Sequence, residues 1–262
     1  MAWRILDVGI VDGPTSTSIF EAVGIKCSRG VSPNTIIFWR VNPPCVYVGY
    51  HQIVKKEVNL ETCKKLGFHV VRRILGGGSV YCDKNQLLYS VIVNIKHSKI
   101  PCWMEEAYKT ILKGVVLALK KFGLKNVFLE KKFNAVVVNG KKISGNAGLM
   151  DGNLIMVNGS FLLDCDYETM GKVLVNPLKN LPGNPKKIED GLTSLNRELG
   201  RKVLVKEAFK ALKEGFEETL NIQLKKRKLM AEELNLALKL KHKYLSEDWL
   251  YLMDYKHEKI LG

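Results

Sequence analysis

Three consecutive glycines, Gly76, Gly77 and Gly78, constrain this chain more than any other feature. They lie within Arg72–Ser90, RRILGGGSVYCDKNQLLYS, behind two adjacent arginines and ahead of an alternating apolar run. A glycine triplet loses backbone entropy on ordering. A fold tolerates it where the backbone must approach something closely or where φ must be positive. Successive N–H groups in such a turn form a concave anion site, and arginine adds fixed charge in fork geometry. The stretch is read as a cradle for a carboxylate or phosphate; composition alone equally allows a flexible hairpin turn.

A second stretch, Asn139–Met150, reads NGKKISGNAGLM. Asn-Gly is a strong two-residue hairpin signal. Lys141 and Lys142 then start the return strand, and the two-residue period puts them on opposite faces. One points inward while the other is solvated. The small residues Gly145 and Ala147 leave the backbone bare beside the inward lysine. Taken alone, the stretch also suits an ordinary hairpin with surface lysines.

Together the two stretches carry a family resemblance. RRILGGGSVYCD resembles the RRxxGGGxVxHD signature of the lipoate–protein ligase family, and NGKKISGNA resembles that family's K-I/V-x-G-x-A signature around its essential lysine. The match runs from about Trp3 to about Leu174 and includes WRVNPPCVYVGYHQ and GSFLLDCDYETMGKVL, in the right order and spacing. It departs at Cys82-Asp83 (for His-Asp), at Asn85-Gln86 (for Gly-Asn), at Asn134-Ala135 (for Asn-Asp), and at Asn158 where a histidine is common.

The resemblance implies an α+β catalytic domain of the class II synthetase-like biotin/lipoate ligase kind, with mixed and antiparallel sheets packed against helices. It implies ATP-dependent activation of lipoate as lipoyl-AMP, then transfer to an acceptor lysine. Lys142 takes the place of the catalytic lysine. Arg72, Arg73, Gly76, Gly77, Gly78, Ser79, Val80, Tyr81, Asp83, Asn134, Gly145 and Ala147 take the places of ATP- and lipoate-binding residues. Mg2+ is expected with the nucleotide, with Asp83 one candidate ligand and no metal set assigned. Implied partners are lipoate and the lipoyl acceptor domains of 2-oxoacid dehydrogenase complexes or the glycine cleavage H protein. Residues 1–178 match the catalytic core, and residues 179–262 read as its helical C-terminal extension. With the accessory domain of the larger ligases not found, a separate small accessory-domain protein is a further expected partner, as in bipartite archaeal members.

Physical chemistry makes these residue types suitable. A substrate carboxylate approaching an α-phosphate meets another anion, so preorganised positive groups must offset repulsion and stabilise the transition state. The acyl chain needs an apolar tunnel; Trp39, Val48 and Tyr89 serve equally as lining or as plain core.

The 262 residues, 46% hydrophobic, suffice for one substantial core. No charged-then-apolar leader and no membrane-length apolar run occurs. The formal net charge of +15 suits an acidic partner. The basic residues are spread rather than clustered, so nucleic acid is not the favoured partner. None of the six cysteines forms a CxxC pair or a zinc spacing, which fits a reduced, cytoplasmic setting.

In chain order, strands are expected at Trp3–Val8, Ile36–Trp39, Cys45–Gly49, Phe68–Arg73, Leu87–Ile95, Val127–Leu129, Ala135–Val138, Leu154–Val157 and Phe161–Leu163. Helices are expected at Thr15–Cys27, Glu57–Leu66, Pro101–Phe122, Tyr167–Leu174, Thr193–Leu199, Lys206–Leu220 and Ala231–Lys243, with an exposed loop over Leu178–Ile188. Two other functions stay open. A cofactor-independent lipoyl or octanoyl transferase of the same fold needs a cysteine nucleophile; Leu129–Asn134 has none, and Cys165 reads equally as filler. A diverged, non-catalytic lipoate binder is the other.

Overall fold

Ile36, Ile37, Phe38 and Trp39 sort alternately to the two sides of a sheet. Ile36 and Phe38 enter one apolar cluster, Ile37 and Trp39 the other, as the two-residue strand period requires. The computed structural model describes residues 3–261. Its strands are β1 (Trp3–Val11), β2 (Thr35–Val41), β3 (Cys45–Val48), β4 (His69–Arg72), β5 (Val80–Cys82), β6 (Gln86–Asn94), β7 (Val127–Glu130), β8 (Ala135–Val138), β9 (Lys141–Asp151), β10 (Leu154–Leu162) and β11 (Leu224–Lys226).

The larger sheet runs β11-β1-β2-β6-β10-β9-β8-β7, and the smaller runs β4-β3-β5. β1 pairs in parallel with β2 and β11, while β6 pairs antiparallel with β2 and β10. Every residue of β6 is buried, because helices cover both faces. Gly13–Ser28 and Ala231–Leu245 lie on one side, with Phe20, Val23 and Ala237 against Ile37, Leu88 and Met156. Met104–Lys121 and Val205–Leu220 lie on the other, with Ile111, Leu212 and Phe216 against Phe38, Tyr89 and Val91. This is the expected α+β architecture. Among the described residues no helix is long and apolar enough to cross a membrane.

Several elements differ from expectation. The first helix begins at Gly13, capped by Asp12, whose carboxylate accepts from Thr15 N at 2.7 Å. The segment read as one helix over Glu57–Leu66 forms two turns, Val54–Glu57 and Leu60–Lys65, broken by extended Val58. The two strands expected over Leu154–Leu163 are one continuous β10, held on both edges by β6 and β9. The long helix starts at Met104 rather than Pro101. Residues 179–262 are not helical throughout: Leu224–Lys226 is a strand that pairs with Trp3–Ile5. Neighbour-strand pairing sets that backbone, and no local pattern announces it.

Helix Ala231–Leu245 is fastened to β1 by a buried ion pair. Arg4 bonds Glu233 through Nη2 and Thr35 Oγ1 through Nε at 2.9 Å, and Ser32 donates to Glu233. Arg4 is 4% exposed and Glu233 is 0% exposed. Removing one partner strands the other charge without water. Glu233→Ala should therefore destabilise by about 3–5 kcal/mol, read as a lower urea midpoint. The double variant Arg4→Met/Glu233→Leu should recover most of that loss.

Candidate active site

β4 delivers the two arginines to different places. Arg73 turns inward: Nη1 donates to Tyr47 O at 3.1 Å, and Nη2 donates to Gly76 O at 2.6 Å and Gly78 O at 2.8 Å. The guanidinium thus shapes the glycine turn from inside, and its buried Nε has no protein partner. Gly77 needs its glycine because its φ is +82°. Gly49 needs one for a different reason, since a Cβ there would overlap the Gly77 carbonyl.

The lysine comes from β9. Val136 pairs with Ser144 and Val137 with Lys142, which leaves Ile143 as an extra residue in β9. A bulge of this kind re-aims neighbouring side chains. Ile143 enters the core, the Lys142 carbonyl accepts from Thr193 N at 2.8 Å, and Lys142 Nζ donates to Asn180 O at 3.3 Å. Lys141 faces the other way and donates to Glu189 O at 2.8 Å, as the strand period predicts.

Two cavities meet at Lys142. The larger, about 230 Å³, has Phe20, Trp39, Tyr47 and Leu88 on its apolar wall, and Arg73, Gly77, Gly78, Lys132, Asn134, Asn158 and Asn180 on its polar wall. The smaller, about 70 Å³, is lined by Glu57, Ser79, Tyr81, Met170, Leu174, Pro177 and Leu181, among others. Lys142, Val80, Cys82, Gly145, Ser160 and Asn180 border both.

Among the described residues, no acidic side chain lines the larger cavity. Burial, and then the neighbouring Arg73 guanidinium, lower the Lys142 pKa to about 8 from 10.5. Burial likewise lowers Arg73 to about 10. Two buried cations thus share an enclosure without an acidic neighbour among the described residues, and Arg73 Nε and Asn158 Oδ1 have no hydrogen-bond partner among them. An anion with an apolar tail satisfies this arrangement: its charge meets the cations while its tail takes the aromatic wall.

The sequence-assigned residues divide clearly. Lys142, Arg73, Gly77, Gly78, Val80, Asn134, Gly145 and Ala147 line the larger cavity, and Ser79 and Tyr81 join the smaller. Gly76 supplies its carbonyl to Arg73 and lies on a neighbouring groove. Arg72 is a correction. Its guanidinium, 0% exposed, is consumed by the carbonyls of Gly49, Tyr50, Gln52, Trp249 and Leu250 and by Asp254, away from both cavities. Asp83 is a second. Its carboxylate accepts from Asn85 N at 2.7 Å, Asn85 Nδ2 and Tyr81 Oη, and burial raises its pKa. It borders neither cavity, so the turn employs it rather than a metal. Among the described residues no three acidic, histidine or cysteine groups converge on a metal position.

Of the suggested tunnel residues, Trp39 lines the larger cavity, whereas Val48 and Tyr89 are core. Tyr89 Oη donates to Asn146 Oδ1, and Asn146 Nδ2 donates to Asn134 O at 2.9 Å, which holds Asn134 at the rim. Asn180, in the segment expected to be an exposed loop, is the principal site residue without a local signal. Asn158-Gly159-Ser160, which spells a glycosylation acceptor, forms part of the cavity wall.

The family model for the lipoyl protein ligase A/B catalytic domain matches residues 16–217. The chain is 32% identical to octanoyltransferase LipM of Bacillus subtilis, over 95% of this chain and 98% of that protein. A bi-partite lipoate protein ligase from Thermoplasma acidophilum, described with its E2 lipoyl domain, is similar with a TM-score of 0.84 and 27% identity, covering 97% of each chain. A lipoate-protein ligase A bound with ATP is similar with a TM-score of 0.82 and 26% identity, covering 97% of this chain and 100% of that one.

Titration of Lys142 gives a measurable signature. A bound anion raises its pKa again, so binding takes up protons above about pH 8 and affinity falls as pH rises through that value. Calorimetry of lipoate binding in buffers of different ionisation enthalpy should show the uptake, and Lys142→Met should abolish it. The unliganded fold has the linked property. Between about pH 8 and 10.5 the unfolded chain holds more protons, so this group makes stability rise with pH. The methionine variant should lose that slope.

Proposed function

The chain belongs to the lipoyl protein ligase A/B catalytic-domain family, and from that membership we propose that it is the catalytic chain of an ATP-dependent lipoate–protein ligase. The observation that carries the reading is the position of Lys142 beside Arg73, where an apolar-walled cavity meets a second, smaller one, and where burial raises the pKa of the bordering Cys82 thiol. The acyl chain would take the aromatic wall of Phe20, Trp39 and Tyr47. The nucleotide would extend from the glycine turn into the smaller cavity beside Ser79 and Tyr81.

A carboxylate oxygen of lipoate attacks the α-phosphorus of ATP, forming one P–O bond as the bond to pyrophosphate breaks. The Lys142 ammonium and Arg73 offset the repulsion between the two anions and the charge that builds at phosphorus. In the second half-reaction the acceptor lysine amine, as free base, attacks the acyl carbonyl. AMP leaves with the electron pair of the C–O bond, and the amine loses a proton. Lys142 then polarises the carbonyl oxygen. Magnesium, where it accompanies ATP, would be held chiefly by phosphates and water. The charge of +15 favours an acidic acceptor domain, and the bi-partite relative supports action together with a second small protein.

Octanoyl transfer is the competing reading, because curated relatives such as the Bacillus subtilis protein are octanoyltransferases. It requires a thiolate at the acyl carbonyl. The wall segment ahead of the lysine hairpin presents Lys132, Phe133 and Asn134 to the cavity. Cys82 borders the cavity, but burial pushes its thiol far up from its ordinary range. Cys165 is pushed up to about 12 by burial, contacts Thr193 O and lies outside both cavities. Both thiols are suppressed as nucleophiles, which favours the ligase.

Lipoate-dependent exchange of pyrophosphate into ATP tests the choice. Lys142→Ala should reduce exchange by about 100-fold or more, with folding retained, and Lys141→Ala should change it little. Cys82→Ser and Cys165→Ser should both remain active. ATP-independent octanoyl transfer abolished by either serine variant would replace the ligase with the transferase.

A further inference from the structure

Arg72 is the most heavily bonded side chain near the site, yet it faces neither cavity. Nη1 donates to Gly49 O at 3.2 Å, Tyr50 O at 2.7 Å and Gln52 O at 2.8 Å. Nε donates to Trp249 O at 3.1 Å and Leu250 O at 2.9 Å. Nη2 meets Asp254 Oδ2 at 3.4 Å. One planar group therefore joins the turn after β3 to a segment distant in sequence. Trp249 returns the bond, donating Nε1–H to Arg72 O at 2.8 Å, and its ring packs on Tyr50.

Asp254 extends the connection. Its carboxylate accepts from Val54 N at 3.0 Å and Lys55 N at 3.2 Å, so it caps the one-turn helix Val54–Glu57 from outside. That helix ends on Glu57, which borders the smaller cavity. At its other end the clamped turn carries Gly49, packed so closely on Gly77 that no side chain fits between them. Gly77 belongs to the turn that Arg73 shapes through Gly76 O and Gly78 O.

We propose that Trp249 and Asp254 are positioning residues: through Arg72 they fix the 49–52 turn against the glycine turn, and so set the direction in which Arg73 offers its free Nε to the substrate anion. The proposal rests on the ligase reading for its kinetic consequence. Stability alone does not call for such a cluster, because a buried ion pair is often replaceable by apolar residues without loss. What apolar packing cannot supply is orientation. Five carbonyls from two separate segments converge on one guanidinium, and small misplacements of binding groups near a reacting centre have large kinetic effects.

The test uses the full chain with Trp249→Phe, which keeps an aromatic ring against Tyr50 but loses the Nε1–H bond, and Asp254→Asn, which keeps the shape but loses the charge. Lipoate-dependent pyrophosphate exchange should show KM for lipoate and ATP raised about tenfold, with kcat changed much less. Amide hydrogen exchange should become faster in residues 49–53 and 74–79, while the core strand β6 keeps its protection. Unchanged KM and unchanged protection in both turns would overturn the proposal. So would protection lost evenly across the whole chain, which is the mark of plain packing. If the wild-type chain catalyses no exchange, the ligase reading fails by itself. Hydrogen exchange in the same variants then still decides whether the segment holds the turns.

Discussion

Two positive charges held side by side without a counter-ion are the constraint on which the rest of the site depends. Lys142 and Arg73 both lose hydration on burial, and the Arg73 guanidinium further lowers the affinity of Lys142 for its proton. Such a pair persists only if the surrounding fold determines it more strongly than the repulsion disrupts it. Arg73 is held by three carbonyls. Lys142 is held by a bulged strand whose backbone is tied to Thr193. The unpaired charge is then available to a ligand, which is how a site comes to favour an anion before any anion arrives.

The sheet explains how that is achieved. Helices on both faces bury β6 completely, and β10 pairs along most of its length with β6 and with β9. β9 is therefore rigid where it borders β10 and free to bulge where it borders the shorter β8. The lysine sits in that second part. The smaller sheet, β4-β3-β5, has a different task, since it carries the arginine pair and ends at the glycine turn. The site is the seam between the two sheets, built from residues far apart in the chain and adjacent only after folding.

Much of this was legible in the sequence because it is local. Period-two alternation puts Lys141 and Lys142 on opposite faces, the family resemblance picks Lys142 as the inward one, and the glycine triplet announces the turn. What escaped was set at a distance. Arg72 and Arg73 are the same residue type in neighbouring positions, and residues 49–52 together with the distant residues 249–254 determine that Arg72 is consumed as a clamp. Asp83 reads from the sequence as a metal candidate, whereas Asn85 and Tyr81 occupy its carboxylate. Asn180 lies in a stretch rich in Pro, Gly and Lys, whose composition speaks of exposure; Leu181 beside it is nevertheless buried. The strand Leu224–Lys226 has the composition of a solvated turn and is a strand only because β1 is there to pair with it.

That last pairing has a bearing on how the molecule is made. Trp3 pairs with Leu224, far along the chain, and Arg4 closes on Glu233. While the intervening chain emerges from the ribosome, β1 has an open outer edge and a buried-type arginine without its carboxylate partner. Contacts of such long sequence separation form late and slowly, and open strand edges in partly made chains invite association. The bulge between Asp7 and Gly9 kinks the unpaired part of that edge, a feature that discourages another strand from adding there. The nascent chain thus waits with its first strand partly guarded until the residues that complete it have been translated.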